Sequence, residues 1–562
     1  MTISLTPLGF RNELAETIYL QKYSQNGKYT WSQLADLLVD DVCGSRAGTC
    51  PSLLPEQEKH ELKRLIQDFK FIPGGRYLYY AGRPAKYYNN CYLLRAEEDT
   101  REEWSNVTWR AMSCLMTGGG IGIDYSRLRP SGSPLARTGG IASGPIPLMH
   151  AINEIGRNVM QGGSRRSAIY ASLNWQHRDI REFLTSKNWH EQLLFTGAEQ
   201  SFTVADAKQA NFNYNAPLDM TNISVNYDDD WLWKEDRHLD PIFLENCKQA
   251  MSTGEPGFSF NFREHKNETL RNACTEVTSE DDSDVCNLGS INLGNIETLD
   301  EFRSIVKAAT SFLVCGSIRA DLPYQKVYDV RAKNRRIGLG LMGIHEWLLK
   351  RRYGYEVVAE LHEWLSVYES VSTEVGSQFC EELNLSIPVA FRAIAPTGSI
   401  GILAGTTTGI EPLYAVAYKR RYLKGTTWRY QYVVDGVAQY LITHFGIKPE
   451  DIETARELSN DFEKRIKFQA DIQDYVDMSI SSTINLPAWG TRGNQNKDVE
   501  HFAEILSKYA PNLRGFTCYQ DGSRRGQPLT TVPYEDAIKH KGMVFEELDI
   551  CEISGKGGTC GA

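Results

Sequence analysis

Hydrophobic positions in the first seventy residues recur at three- and four-residue steps. The segments ELAETIYLQKY and WSQLADLLVDDV carry this spacing, and PEQEKHELKRLIQDFK opens with Pro55 and early acidic residues. Such a repeat places apolar side chains on one face of a helix, and proline followed by acidic residues is typical of a helix start. The pattern predicts a helical N-terminal region over residues 1–70.

The rest of the chain divides into one long and one short region. From residue 71 to 534, short apolar runs alternate with glycine turns and helical stretches, which is typical of a large α/β unit. Residues 535–562 end in ISGKGGTCGA, a small, polar and glycine-rich sequence. Because such composition favours flexible chain, we expect a mobile tail there.

Composition and charge exclude some classes of protein. The 562 residues are 41% hydrophobic and 23% charged, with a net charge of −10. An acidic total argues against direct nucleic-acid binding, although a local pocket can still hold one nucleotide. We find no run of about 18 apolar residues and no basic N-terminal region followed by an apolar run. We therefore expect no membrane span, a cytoplasmic location and mostly reduced cysteines.

Three reactive side-chain types alternate in the segment NACTE, at Asn272, Cys274 and Glu276. In extended chain, residues two apart point the same way. A thiol beside a carboxylate and a carboxamide suits radical or acid–base chemistry. A polar surface turn has the same composition, since VTSEDDSD follows, and the spacing leaves both interpretations open.

Two other cysteines lie in apolar, strand-like surroundings. Cys91 occurs in YYNNCYLL and Cys286 in CNLGSINL. Each is equally consistent with an ordinary buried cysteine. The sequence alone does not show whether the two meet in space.

Two further segments have the composition of ligand-binding turns. Residues 396–399, PTGS, predict a tight turn that opens a helix, where free N–H groups and hydroxyls form an anion site. A hydroxyl-capped helix without a ligand is the alternative. Residues 117–122, TGGGIG, contain four glycines, which permit close approach of a ligand or serve a plain strand bend.

The glycines of residues 338–343, GLGLMG, match a dinucleotide-binding pattern. That fold needs an apolar strand immediately before the glycines, whereas AKNRR precedes them here. A nicotinamide dehydrogenase would rest on these glycines alone, and the phosphate-binding pattern G-x-x-x-x-G-K-[ST] is absent.

Taken in order, many segments resemble the large subunit of ribonucleotide reductases. They are NNCYLL, TGGGIGIDYSRLRP, TGGIASGPIPLM, QGGSRRSA, TNISV, GEPGFSF, NACTE, CNLGSINL, NRRIGLGLMG, APTGSIGILAGTTTGIEP and YQDGSRRGQPL. The resemblance implies a ten-stranded α/β barrel with a central finger loop. It also implies an enzyme that reduces ribonucleotides to 2′-deoxyribonucleotides by thiyl-radical chemistry.

The resemblance assigns roles to five residues. Cys274 would be the transient thiyl that takes the 3′-hydrogen of the ribose. Glu276 would accept the 3′-hydroxyl proton, and Asn272 would orient the sugar. Cys91 and Cys286 would reduce the 2′ position and end as a disulfide, which requires Cα atoms within about 7 Å.

The finger departs from the family at two positions. Ala273 and Thr275 stand where proline and glycine are expected. The difference could alter the stiffness of the loop, but it leaves the three reactive groups in place.

The resemblance also implies a substrate site and an effector site. The substrate phosphates and sugar would contact Thr397, Gly398, Ser399, Ile400, Gly119, Gly120 and Asn90. A deoxynucleoside triphosphate effector would contact Arg129 and an acid at Asp99 or Glu98. The loop that reports effector identity should lie within residues 186–221, where we assign no residues.

The source of the radical is expected to be adenosylcobalamin. The glycyl-radical form of the family needs a C-terminal R-V-x-G-Y-like segment, which we do not find. The form that uses a ferritin-like partner needs adjacent tyrosines, whereas here Cys518 precedes Tyr519 in a context similar to the adenosylcobalamin form. The partner-subunit form stays the alternative, and the short N-terminal region leaves little room for an ATP cone.

The resemblance further implies a thioredoxin- or glutaredoxin-like reductant, and we expect Cys551 and Cys560 to carry electrons from it to the active site. The protein is expected to form a homodimer, and we assign no metal ligands. The substrate's phosphate count, di- or triphosphate, stays open. An inactive nucleotide-binding regulator is a remote alternative, which the five intact catalytic positions argue against.

Overall fold

The structure is a computed structural model. It describes residues 5–45, 50–136, 139–159, 167–196, 201–211, 214–424, 427–521 and 529–546. The strands are β1 (Phe71–Pro73), β2 (Cys91–Arg95), β3 (Gly120–Asp124), β4 (Ile169–Asn174), β5 (Leu193–Thr196), β6 (Ser201–Thr203), β7 (Thr221–Tyr227), β8 (Gly257–Phe260), β9 (Leu270–Arg271), β10 (Thr278–Ser279), β11 (Asp284–Asn292), β12 (Ile337–Met342), β13 (Ala417–Lys424), β14 (Thr427–Val434), β15 (Thr483–Leu486), β16 (Gly515–Gln520), β17 (Leu529–Thr531) and β18 (Val544–Glu546).

The α-helices surround these strands. They are α1 (Glu13–Lys22), α2 (Trp31–Cys43), α3 (Glu56–Gln67), α4 (Gly75–Tyr80), α5 (Arg101–Met116), α6 (Ile146–Asn158), α7 (Ile180–Thr185), α8 (Val204–Ala210), α9 (Asp229–Leu232), α10 (Pro241–Thr253), α11 (Leu299–Arg319), α12 (Gln325–Asn334), α13 (Ile344–Lys350), α14 (Ala359–Glu382), α15 (Gly398–Ala404), α16 (Gly436–Phe445), α17 (Ala455–Leu458), α18 (Phe462–Gln473), α19 (Val499–Tyr509) and α20 (Tyr534–Lys539).

The large sheet closes into a barrel of two parallel halves. One half runs β2, β3, β4, β7, β8. The other runs β11, β12, residues 391–394, residues 478–486 with β15, and β16. The halves meet antiparallel where β2 pairs with β11 and where β8 pairs with β16. The expectation of a ten-stranded α/β barrel is confirmed.

Burial on both faces explains the sequence of these strands. Every residue of β2 and of β11 is buried, because helices cover the outside of the barrel and the finger loop fills its inside. Parallel strands in this position read as continuous apolar or small residues. The glycines at 338 and 340 belong to β12 itself, where neighbouring strands approach too closely for a side chain.

The N-terminal helices share the core of the barrel. Leu34 and Leu38 of α2 lie in the same hydrophobic cluster as Phe312 of α11. The guanidinium of Arg319 donates to the carbonyl oxygens of Gly44 and Pro51. Residues 5–45 and 50–70 therefore pack as one body with the barrel rather than as a separate unit.

A small antiparallel sheet, in the order β17, β13, β14, β18, lies apart from the large sheet. Its last strand corrects the boundary expected at residue 535, because α20 and β18 are regular elements and β18 pairs with β14. Aromatic stacking of Tyr430 on Phe545 and of Tyr432 on His540 anchors this segment. The glycine-rich sequence GKGGTCGA occupies residues 555–562, outside the described part of the chain. Among the described helices, none is both long and apolar enough to span a membrane.

Candidate active site

The finger loop enters the barrel between two short paired strands. β9 and β10 form an antiparallel pair, and residues 272–277 connect them. The loop passes so close to β3 that a Cβ at Gly122 would lie 1.7 Å from the carbonyl oxygen of Arg271. Gly122 is thus required by the finger loop, a role that the sequence analysis did not identify.

The tip of the finger is a tight turn. The N–H of Thr275 donates to the carbonyl oxygen of Asn272 at 3.0 Å. Thr275 has a φ of 68°, in the left-handed region that costs a non-glycine residue about 1–2 kcal/mol. The threonine therefore adopts a conformation that glycine adopts freely, at the position where the sequence analysis expected glycine.

Asn272, Cys91 and Glu276 form one buried group. The amide of Asn272 donates to Cys91 Sγ at 2.9 Å, and its Oδ1 accepts from the N–H of Val277. Cys91 Sγ lies 3.9 Å from Glu276 Oε1. Glu276 Oε2 is buried and has no hydrogen-bond partner among the described residues. An unsatisfied buried carboxylate oxygen is suited to accept a proton, or a hydrogen bond from a hydroxyl group, of a ligand.

Cys91 and Cys286 lie directly opposite each other across the junction of the two half-sheets. They are register partners in the antiparallel pair of β2 and β11, and the N–H of Asn90 donates to the carbonyl oxygen of Cys286 at 3.3 Å. Opposed residues in such pairs have Cα atoms about 4.5–5.5 Å apart, and a disulfide spans about 4.4–6.8 Å. The register therefore allows the two thiols to join.

Burial controls the protonation of this group. It raises the pKa of Glu276 to about 7, although hydrogen bonds from Asn272 and Cys91 act in the opposite direction. Burial and the nearby Glu276 raise the pKa of the Cys91 thiol well above its ordinary value. Burial also raises the pKa of Cys286. The thiols stay protonated at neutral pH, whereas Glu276 can exchange a proton there.

Cys274 differs from these two cysteines because its residue is exposed. It lies at the tip of the finger, between the buried residues Ala273 and Glu276 with Thr275 partly buried. Residue Cys274 is therefore accessible, whereas both cysteines of the pair are buried.

The predicted phosphate turn has the expected local structure. Thr397 precedes α15 with a φ of 48°, and its Oγ1 accepts from the N–H of Gly409 at 2.8 Å. Ser399 Oγ accepts from Lys22 Nζ at 3.0 Å. Gly398 is exposed and Ile400 is buried. The first amides of a helix have no partner within it, so this turn offers N–H groups, a hydroxyl and a cation from α1.

The other three proposed substrate residues lie beside the cysteine pair. Gly120 is the register partner of Cys91 on β3, and its N–H donates to the carbonyl oxygen of Asn90 at 2.8 Å. Asn90 Oδ1 has no hydrogen-bond partner among the described residues. A Cβ at Gly119 would lie 2.4 Å from the ring of Tyr92, so packing alone explains this glycine.

The structure brings two of the proposed effector residues together. Arg129 forms an ion pair with Asp99, and its backbone N–H donates to Asp99 Oδ2 at 3.0 Å. Partial burial raises the pKa of Asp99, but hydrogen bonds from Arg129 and Trp104 outweigh it and the pKa is lowered. Glu98 is exposed. The tail cysteines Cys551 and Cys560 lie outside the described residues.

A buried arginine that the sequence analysis missed anchors the finger. Arg271 donates to Ser259 Oγ, to Asn261 Oδ1 and to the carbonyl oxygens of Phe260 and Arg514. Its burial is complete, and this lowers the pKa of the guanidinium to about 9. An arginine next to Asn272 carries no spacing signal, so only the fold identifies it.

Comparison with known proteins agrees with this geometry. A family model described as "Ribonucleotide reductase, barrel domain" matches residues 89–363 and 389–519. The vitamin B12-dependent ribonucleoside-diphosphate reductase of Mycobacterium tuberculosis (strain ATCC 25618 / H37Rv) is 26% identical over 535 residues, covering 83% of this chain and 71% of that protein. The enzyme of the same name from Thermoplasma acidophilum is 26% identical, covering 87% and 68%.

Two further similarities cover nearly the whole chain. The putative adenosylcobalamin-dependent ribonucleoside-triphosphate reductase of Mycobacterium phage D29 is 23% identical and covers 96% of both chains. The Actinobacillus ureae class Id ribonucleotide reductase alpha subunit shares the fold, with a TM-score of 0.68 and 16% identity over 91% of this chain and 97% of that one.

The matched residues include the strands of both half-sheets and the finger loop, so the fold is that of a large-subunit barrel. The chain belongs to the ribonucleotide reductase family and is an enzyme of that family. The resemblance stated from the sequence is confirmed.

Proposed function

We propose that this chain reduces ribonucleotides to 2′-deoxyribonucleotides with Cys274 as the thiyl residue and the Cys91–Cys286 pair as the internal reductant. The observation that carries the proposal is the cross-strand register of Cys91 and Cys286 beside Asn272 and Glu276. Two thiols that can form a disulfide supply the two electrons of the reduction, and the neighbouring carboxylate accepts the proton of the 3′-hydroxyl.

Each residue has a defined task in this proposal. Cys274, as the thiyl, takes the hydrogen atom from C3′ of the ribose, while Glu276 accepts the proton of the 3′-hydroxyl. One thiol of the pair protonates the 2′-hydroxyl, which leaves as water. The pair then supplies two electrons and a proton to the sugar and becomes a disulfide, and Cys274 returns its hydrogen atom to C3′.

The protonation states fit these tasks. The pKa of Glu276, raised by burial to about 7, lets the carboxylate accept a proton and later release it at neutral pH. Burial keeps Cys91 and Cys286 protonated, as donors must be. Asn272 donates to Cys91 Sγ, and its Oδ1 accepts a hydrogen bond from the N–H of Val277. These two bonds fix its side chain, which can then orient the thiol and the sugar.

We propose adenosylcobalamin as the radical source, as in the relatives named for it. When bound, this cofactor would supply the radical chemistry that converts the thiol of Cys274 into a thiyl. The chain fits such a group, because Cys274 is exposed to solvent while Cys91 and Cys286 are buried. The tyrosine relay of the alternative form finds little support, since Tyr519 follows Cys518 on β16, pairs with Asn485 and packs over Gly254.

We further propose the turn at Thr397, Gly398, Ser399 and Ile400 as the site of the substrate phosphates, with Asn90, Gly119 and Gly120 beside the sugar. Asp99, Arg129 and Glu98 are proposed as the site of a deoxynucleoside triphosphate effector. Cys551 and Cys560 are proposed to pass electrons from a thioredoxin- or glutaredoxin-like protein to the active-site pair. A homodimer is proposed as the assembly.

The test is turnover of ribonucleoside di- and triphosphates by this chain alone with a dithiol, with and without adenosylcobalamin. We expect deoxynucleotide only when adenosylcobalamin is present. Turnover that needs a metal-containing partner protein instead would support the partner-subunit alternative. A matched Cys274→Ser preparation controls for contaminating reductase.

A further inference from the structure

The end of β7 reaches the finger loop through one side chain. Asn222 is the second residue of β7, and its Nδ2 donates to the carbonyl oxygen of Ala273 at 3.1 Å. Ala273 immediately precedes Cys274. Asn222 lies in the segment TNISV, which contributed to the family resemblance but to which neither the sequence analysis nor the proposed function gave a task.

The alternation of β7 shows that this side chain lies on the barrel's inner face. Ile223 and Val225 are buried in the hydrophobic core. On the opposite face, Ser224 and Asn226 are buried polar residues, and Asn226 donates to Asp124 of β3 at 3.2 Å. Asn222 shares this polar inner face but is exposed. It therefore stands where the barrel opens, at the level of the exposed Cys274.

Ala273 is held from two sides. A Cβ built on Gly120 of β3 would lie 3.2 Å from the Ala273 methyl group, so the alanine packs against that strand. On the other side, the amide of Asn222 holds its carbonyl oxygen. Strands β3 and β7 flank β4 in the half-sheet, so the backbone just before Cys274 is fixed to two elements of the barrel wall.

The rest of the finger has its own ties to the barrel wall, because Asn272 donates to Cys91 Sγ and the N–H of Ser479 donates to the carbonyl oxygen of Glu276 at 2.9 Å. Its turn hydrogen bonds, from Thr275 N–H and Val277 N–H, both end on Asn272 and so lie within the loop. Thr275 also holds an unfavourable positive φ, which favours relaxation of the turn when its neighbours are released. The Asn222 bond is an external tie that acts on the residue adjacent to the reactive thiol.

We propose that Asn222 is a positioning residue, whose hydrogen bond to Ala273 holds the finger so that the Cys274 thiol faces the substrate. This inference rests on the proposed function for its effect on turnover. Its effect on the loop is independent of that function, because the hydrogen bond exists without substrate or cofactor. An error of about 1 Å in the position of a reacting group lowers rates by about a hundredfold.

The test uses the full chain with Asn222→Ala and Asn222→Asp. The aspartate has nearly the same shape but faces the carbonyl oxygen with an acceptor, so both variants lose the bond. We expect kcat to fall by about tenfold or more while KM stays within about twofold. The matched control is Asn512→Ala, which removes a surface hydrogen bond to Asp474 and should leave both constants unchanged.

Hydrogen exchange of the finger is the second readout and needs no turnover. Amide exchange in the peptide covering residues 271–277 should accelerate by about tenfold in both variants, the factor expected for losing one hydrogen bond. Exchange in the peptide covering residues 284–292 should stay as in the wild type.

The outcomes separate the two proposals. Wild-type exchange of the finger in both variants overturns the positioning role, whatever happens to activity. A raised KM with unchanged kcat and unchanged exchange also overturns it, because Asn222 would then bind substrate directly. If the wild-type protein makes no deoxynucleotide, the proposed function fails, and the exchange of the finger still decides the role of Asn222.

Discussion

The finger loop and the phosphate turn hold functional groups in opposite ways. In the finger, Asn272 and Glu276 are each 2% exposed and Cys91 is 3% exposed, and the groups contact one another. In the phosphate turn, Gly398 is exposed and Ser399 is partly so. Among the described residues, Lys22 of α1 donates to Ser399 Oγ and brings a positive charge to this turn.

The difference follows from what each region must do. Proton transfer needs a group whose pKa is set by its surroundings, and the pKa of Glu276, raised by burial, shows that effect. A phosphate has to enter and leave, so its site keeps donors at the surface. The largest mutational effects are therefore expected in the finger loop and smaller ones in the open turn.

Loss of the finger thiol should have the largest effect. We expect Cys274→Ser to fold normally and to abolish turnover, because the S–H bond is weak enough to exchange a hydrogen atom with the ribose whereas an O–H bond is too strong. Product formation is measured by chromatography, and circular dichroism checks the fold. Deoxynucleotide from a clean preparation would show that Cys274 is not the radical residue.

Removal of the carboxylate should have the next largest effect. Glu276→Gln should lower kcat by about 10²–10⁴-fold, the usual contribution of a general base. Wild-type activity should rise as pH increases through about 7, where the buried carboxyl ionises. Activity that keeps its wild-type level and pH profile in the variant would exclude Glu276 as the base.

The same substitution should change stability with pH in a defined direction. The pKa of Glu276 is raised from 4.5 to about 7, so the folded state favours the neutral form. That contribution is complete below pH 4.5 and is lost as pH rises through 7. Between pH 5 and 8, the wild type should lose up to about 3 kcal/mol of unfolding free energy relative to Glu276→Gln, measured by denaturant titration.

The effector site should affect preference rather than rate. Arg129→Ala removes the ion pair with Asp99 and a contact proposed for the effector phosphates. We expect the effector-dependent base preference, a coupling of about 1–3 kcal/mol, to disappear while basal turnover survives. Competition assays with four ribonucleotides measure this preference. An unchanged effector response would place the effector elsewhere.

The open turn should give the smallest effect. Ser399→Ala removes one hydroxyl, so we expect KM for substrate to rise by about threefold to tenfold with little change in kcat, consistent with the loss of one hydrogen bond. Steady-state kinetics measure both constants, and Ser304→Ala on the surface of α11 is a suitable control. A large fall in kcat with unchanged KM would contradict a binding role.

Local sequence patterns predicted the helices and turns better than they predicted which elements contact each other. The three-to-four spacing located α1–α3 and the PTGS turn located the start of α15, because both signals lie within a few residues. The opposition of Cys91 and Cys286 depends on the pairing of strands almost two hundred positions apart, which spacing does not encode. The family resemblance identified this pair, which no local sequence pattern indicates.

Neither the local patterns nor the family resemblance identified three other features. The barrel closes through residues 391–394, which form bridges rather than a regular strand, so no strand pattern marks them. The glycines of residues 117–122 predicted close approach of a ligand or a strand bend, whereas Gly122 allows the close approach of Arg271. The residues from 534 to 546 are polar enough to suggest a tail, but pairing with β14 gives them regular structure.

The most direct test of this account is a single turnover of pre-reduced protein without added reductant, followed by mapping of its disulfides. With adenosylcobalamin and ribonucleotide present, and with Cys551 and Cys560 replaced by serine so that the tail cannot re-reduce the site, we expect about one deoxynucleotide per chain and a new disulfide between Cys91 and Cys286, since the pair supplies two electrons once. Deoxynucleotide formed while Cys91 and Cys286 both remain reduced would contradict the account.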